Sequence, residues 1–195
     1  MFQNENIPRK PEPQTKPITK IGEYTNIQMF LYYPKSKKNP NGDPVAKQGD
    51  RQMIMARKNA IVMFGKDGEK YYRKSDLFIH HYQPTEITEA HAPLKKQAML
   101  FMRGNKPFEN EVIINKLVYH FSPLKGTSKK DIERIGNGVI IPKKTKPDLT
   151  DNLSKLLMDA LSDIVFVNDS SIWKVTDMTK IYSLVPGVFI DIIGL

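Results

Sequence analysis

Asp148, Asp151, Lys155 and Asp169 are the residues whose types and spacing suit chemistry on a phosphate. Asp148 and Asp151 are three apart, Asp151 and Lys155 four apart, so a helix would put all three on one face. Two readings of that face stand side by side. In the first it is only solvated: the acids complement the positive end of the helix, and Asp151 pairs with Lys155. In the second the carboxylates are oxygen ligands for Mg²⁺, a hard cation that prefers carboxylate and water, with Mn²⁺ as a substitute. Asp169 would be the third acid, following a strand expected to return beside the helix start. A divalent ion there relieves carboxylate repulsion, acidifies its water and neutralises a scissile phosphate. Lys155 would hold the nucleophile or stabilise the crowded phosphate.

A helix over 148–161 must position these groups. At about 100° per residue, Leu149, Leu153, Leu156, Leu157, Ala160 and Leu161 form one stripe. Asp148, Asp151, Asn152, Lys155 and Asp159 lie opposite, and Pro147-Asp148 suits a helix start. Strands are expected at 27–33, 111–121, 164–167, 172–176 and 188–193, from their β-branched and aromatic content. Asn168-Asp169-Ser170 reads as a turn, and Pro186-Gly187 separates the last two strands. The segment 51–64 reads as a helix followed by a turn at 65–68, and 86–102 as a helix interrupted at Pro93. The long connection 122–145 reads as loop. The pattern predicts an α+β (mixed α/β) fold: one compact domain in which helices pack on a mixed β-sheet.

The run Lys146-Pro147-Asp148-Leu149-Thr150-Asp151-Asn152-Leu153-Ser154-Lys155, then Asp159-Ala160-Leu161 and Asn168-Asp169, resembles the signature of the RusA family of Holliday-junction resolvases. That signature is K-P-D-x-D-N-L-x-K, a D-A-L helix end and a downstream acidic pair. The resemblance covers 110–193 best. Upstream, Tyr32-Tyr33-Pro34-Lys35 would stand for the family's first strand and basic loop. Two residues, Leu149 and Thr150, separate Asp148 from Asp151 where the family has one, so Asp148 is either a ligand or a helix cap. Asn168 replaces the first acid of the downstream pair, and Asp169 matches the metal-binding one. The resemblance implies a Mg²⁺-dependent endonuclease with metal ligands Asp148, Asp151 and Asp169 and catalytic Lys155. It implies a homodimer that nicks opposing strands of a four-way DNA junction symmetrically, leaving ligatable 5′-phosphate ends. It also implies a phage or mobile-element origin. The alternatives are a DNA-binding protein that keeps the fold without catalysis, and a nuclease acting mainly on forks or flaps.

Composition agrees with a polyanionic partner. The chain has 195 residues and a net charge of +9, and clustered cations gain affinity by displacing counterions from phosphate. Lys35, Lys37, Lys38, Lys129, Lys130, Lys143, Lys144 and Lys146 are the expected phosphate contacts. With no cysteine in the sequence, disulfides, thiol catalysis and Cys-ligated metals are excluded. The opening Met1-Phe2-Gln3-Asn4-Glu5 has no apolar core, and no apolar run reaches the ~20 residues of a bilayer span. A cytoplasmic protein without a signal peptide is therefore expected. Residues 1–22 read as a flexible Pro- and Lys-rich arm and 23–195 as the domain. His80, His81, His91 and His120 lack zinc spacing. Met53, Met55 and Met63 are expected in the core. Trp173 is expected to pack in the sheet, with base stacking as its alternative.

Overall fold

The structure, a computed structural model, describes residues 18–21, 24–46, 51–56, 62–64, 70–72, 77–82, 85–149 and 153–194; side chains are described for 18, 24–46, 89–149 and 153–194. The strands are β1 (Thr19–Ile21), β2 (Tyr24–Leu31), β3 (Arg51–Ala56), β4 (Val62–Phe64), β5 (Lys70–Tyr72) and β6 (Leu77–Tyr82). Helix α1 (Thr85–Met102), β7 (Val112–Phe121), α2 (Lys129–Gly136), β8 (Ile141–Pro142) and α3 (Ser154–Leu161) follow. A 3-10 turn at Asp169–Ser171 then leads into β9 (Ile172–Val175), β10 (Met178–Tyr182) and β11 (Gly187–Gly194).

The main sheet runs β1-β2-β11-β7-β10-β8. Two strands share one edge of β7: β9 pairs in parallel with its beginning, β10 in parallel with its end. The hairpin-like neighbours β2, β11 and β7 are antiparallel. This is the expected mixed sheet with helices, an α+β fold.

Alternation places the core. Ile27, Met29 and Leu31 of β2 and Val188, Ile190 and Ile192 of β11 are buried in one cluster with the helices. On β7 the inward set is Val112, Ile114, then Leu117, Tyr119 and Phe121. The odd step from Ile114 to Leu117 coincides with a register shift opposite Asp191 and Ile192. A one-residue bulge there restores the inward phase, because a period-two strand would otherwise turn Leu117 outward. Helix α1 buries Ala90, Leu94, Ala98 and Met102, one every four residues, and packs against α3 and β2. Helix α3 buries Leu156, Leu157, Ala160 and Leu161, each leucine contributing about 1.5–3 kcal/mol.

Several expectations fail for reasons of pairing. The segment 51–64 is no helix: β3 zips against β6 from Arg51↔Tyr82 to Ala56↔Leu77, and β4 against β5. Strand partners, distant in sequence for β3 and near for β4, outweigh the helix propensity of the segment. Pro93 does not interrupt α1, which runs through it. Gln97 supports the helix there, its amide donating to the Pro93 carbonyl and to Tyr32 O, just past the end of β2. No strand forms at 164–167; only Phe166 bridges, with Phe108 and Ser162 on either side. Strand β10 was not expected, nor was helix α2 within the basic connection. A serine N-cap announces α2: the Ser128 hydroxyl accepts from Asp131 N at 3.1 Å and donates to its carboxylate at 2.9 Å. The end of the expected arm is β1, paired with β2, while residues 1–17 lie outside the described residues. So do the side chains of Met53, Met55 and Met63.

Candidate active site

The segment that carries Asp148 leaves β8 and passes Lys180 of β10 on its way to the start of α3. The regular helix begins at Ser154, later than the expected Asp148, and Leu153 before it makes no side-chain cap. Leu149 and Leu153 have wide, π-type turn geometry. The Ser154 hydroxyl donates to Leu149 O, five residues back, at 3.3 Å. Asp148 is thus not the cap of α3. Asp151 lies outside the described residues, as does the expected Asp151–Lys155 pair.

Asp148 and Lys155 are exposed, and neither side chain has a hydrogen-bond or ion-pair partner among the described residues. Asp169 is exposed as well. Its turn is capped by Asn168, whose side-chain oxygen accepts from Ser170 N at 3.0 Å. The carboxylate of Asp169 is therefore left unused by the turn.

Asp169 does not return to the helix start. Ser154 touches Met178, its hydroxyl 3.6 Å from the sulfur, and Met178 pairs with Leu117. The turn of Asp169 feeds Ile172, which pairs with Val112. Those two rows of β7 are about 13–16 Å apart at strand rise. Helix α3, eight residues long, spans about 12 Å between them. The segment of Asp148 thus stands toward the Leu117 row and the turn of Asp169 toward the Val112 row. Among the described residues no three acids or histidines gather to hold a metal.

Two lysines fix the approach to Asp148. Lys180 Nζ donates to Thr145 O at 2.7 Å and to Pro147 O at 2.6 Å. Lys143 is 8% exposed, its Nζ donating to Thr145 Oγ1 at 2.6 Å and lying over the rings of Phe121 and Tyr182. This corrects its assignment as a phosphate contact: an ammonium spent on an internal hydroxyl and two aromatic faces does not face solvent. Behind Ser154 stands Tyr119, its hydroxyl 3.5 Å from Ser154 Oγ. Burial pushes the Tyr119 and Tyr33 phenols up.

The remaining expected DNA contacts, Lys35, Lys37, Lys38, Lys129, Lys130, Lys144 and Lys146, are all exposed. The loop of Lys35 to Lys38 is shaped by Asn39, which exchanges bonds with Asp43 N and Asp43 O at 2.9 Å. Asp43 in turn accepts from Ser122 N at 2.6 Å, docking the loop on the end of β7. Trp173 is a correction: it is 59% exposed. Ile172 pairs with Val112 and Lys174 with Ile113, so Trp173 is the extra residue of a bulge and turns out of the sheet. His120 packs edge-on to Phe30. Burial first, and Lys116 second, hold its imidazole down to about 4. The buried Asp191 escaped the sequence reading; Asn26, Gln28 and Asn115 amides occupy its oxygens at 2.7, 3.2 and 3.0 Å, which marks it as structural.

A family model described as Endodeoxyribonuclease RusA matches residues 62–193, more than half of the chain. The chain belongs to the RusA family. It is an endodeoxyribonuclease. The match reaches further toward the N-terminus than the expected 110–193, taking in β4, β5, β6 and α1. No curated protein matches the chain. Among its described residues no helix is long and apolar enough to cross a membrane.

Proposed function

We propose that this RusA-family enzyme is a Mg²⁺-dependent, homodimeric resolvase that cuts four-way DNA junctions by paired nicks, acting in the cytoplasm. The observation that carries the reading is that the segment of Asp148 joins α3 at its start, beside Met178 on the Leu117 row of β7, while the turn of Asp169 feeds Ile172 on the Val112 row. Within one protomer Asp148 and Asp169 would stand too far apart to share an ion, whereas two copies related by a two-fold axis would bring each helix start to the other copy's Asp169. Each site would then hold Asp148 and Asp151 of one protomer and Asp169 of the partner subunit. Hard, exposed carboxylates without sulfur ligands suit Mg²⁺. When bound, the ion supplies charge neutralisation at the scissile phosphate and activation of the attacking water. Lys155, on the first turn of α3, holds a phosphate oxygen through its ammonium. Two equivalent sites at fixed separation match a substrate with near two-fold symmetry.

The test is incision of a synthetic mobile four-way junction beside linear duplex, a fork and a flap, with Mg²⁺ or EDTA. Paired nicks on the junction in Mg²⁺ alone are expected. Cleavage of forks or flaps in preference, or cleavage in EDTA, would overturn the reading.

Binding should be strongly salt-dependent. With six phosphate contacts among the exposed lysines, affinity should drop about 10³-fold between 50 and 200 mM salt. A competition assay at two salt concentrations measures this. Lys129→Ala with Lys130→Ala should flatten the slope by about two, whereas Lys143→Ala should leave it unchanged because that ammonium is internal. An affinity indifferent to salt would remove the lysines from the interface.

A further inference from the structure

We infer that Lys180 is a positioning residue: its ammonium fixes the peptide that presents Asp148, so that metal-dependent cleavage, but not DNA binding, depends on it. The inference rests on the proposed metal-dependent cleavage.

Pro147 O and Asp148 N belong to one planar peptide group. A bond to that oxygen therefore orients the backbone from which the Asp148 side chain departs. Lys180 Nζ makes it at 2.6 Å, together with Thr145 O at 2.7 Å. Bonds from an ionised donor are roughly twice as strong as neutral ones. On the far side of Asp148, the Leu149 carbonyl accepts from Ser154, and Ser154 is braced by Tyr119 and Met178. Asp148 thus sits between two held carbonyls. Met178 and Lys180 are two apart on β10, so both reach the same face. One strand sets both ends of the segment.

The partners of Lys180 are neutral oxygens, and so is the hydroxyl partner of Lys143. Neither ammonium spends a carboxylate. Asp148 stays available for a cation, while two positive charges beside Thr145 offset the mutual repulsion of the nearby acids. Lys180 already donates twice inside the protein, which separates it from the exposed lysines of the loops.

The experiment compares wild type, Lys180→Met and Lys180→Arg. It measures single-turnover nicking of a four-way junction against Mg²⁺ concentration, junction affinity without metal, and Mn²⁺ binding by calorimetry without DNA. Loss of a group that orients a metal ligand lowers activity or metal affinity about 10–100-fold. Lys180→Met should nick that much more slowly at saturating DNA, need about tenfold more Mg²⁺ and bind Mn²⁺ more weakly, with junction affinity within about twofold. Lys180→Arg, which keeps the charge but not the two-carbonyl geometry, should recover only part of the rate. It carries the test if Lys180→Met does not fold. Reduced junction affinity with full restoration by Arg would make Lys180 a phosphate contact and overturn the inference. Unchanged rate and Mn²⁺ binding would overturn it too. If wild type itself shows no Mg²⁺-dependent nicking, the proposed function has failed instead.

Discussion

Asp151→Asn should lower cleavage of a four-way junction about a thousandfold, or ~4 kcal/mol in activation free energy, without weakening junction binding. The substitution keeps the side-chain volume and removes one negative charge. A divalent cation then loses a ligand, while repulsion between the site and the DNA phosphates falls, so affinity should hold or rise. Asp169→Asn should behave alike. Lys155→Ala should also lose most cleavage yet keep Mn²⁺ binding, because its role is on the phosphate. If the acidic face is only solvated, each change shifts stability by about 0.2–1 kcal/mol and cutting survives. Single-turnover nicking and mobility shift in Ca²⁺ separate the two accounts. Full activity in Asp151→Asn or Asp169→Asn would sink the site. Full activity in Asp148→Asn would leave Asp148 outside it.

The second large effect is a recovery. Asp151→Asn and Asp169→Asn proteins, each inactive alone, should regain nicking when mixed under conditions that exchange subunits. If each site joins Asp151 of one protomer to Asp169 of its partner, a mixed dimer carries one doubly substituted site and one intact site. Equal mixing makes about half the dimers mixed, so roughly a quarter of wild-type sites return, and they cut one strand without the paired second cut. Were both acids to serve the same site within one protomer, every site in the mixture would keep one substitution and activity would stay near the thousandfold-reduced level. Sedimentation of the wild type supplies the companion measurement. A strict monomer, free and on DNA, would defeat the dimer whatever the mixture does.

Local chemistry was legible in the chain because it is local. The stripe of Leu153, just before α3, and Leu156, Leu157, Ala160 and Leu161 within it is a period, and a period survives without partners. All five side chains are buried. The run from Lys146 to Lys155 with Asp169 carried the family, and the β-branched content of β7 carried its strand. Strand partners are a different kind of information. Strands β3 and β10 take their structure from residues far away in sequence, β6 for β3 and β7 for β10. No window of neighbouring residues contains those pairings.

The same limit governs the site. The sequence determined which groups can bind a hard cation and which lysines can meet phosphate. Only the tertiary structure decided where they stand. The crossover from β7 to the parallel β9 starts α3 beside Met178, on the Leu117 row, and brings the turn of Asp169 in at the Val112 row, which carries Asp169 away from the segment of Asp148. Burial turned Lys143 inward and a bulge turned Trp173 outward. Lys180 has no feature in the sequence to set it apart from other lysines. Its role appears once β10 lies beside β7 and the chain from Thr145 to Pro147 passes over it, within reach of a single ammonium.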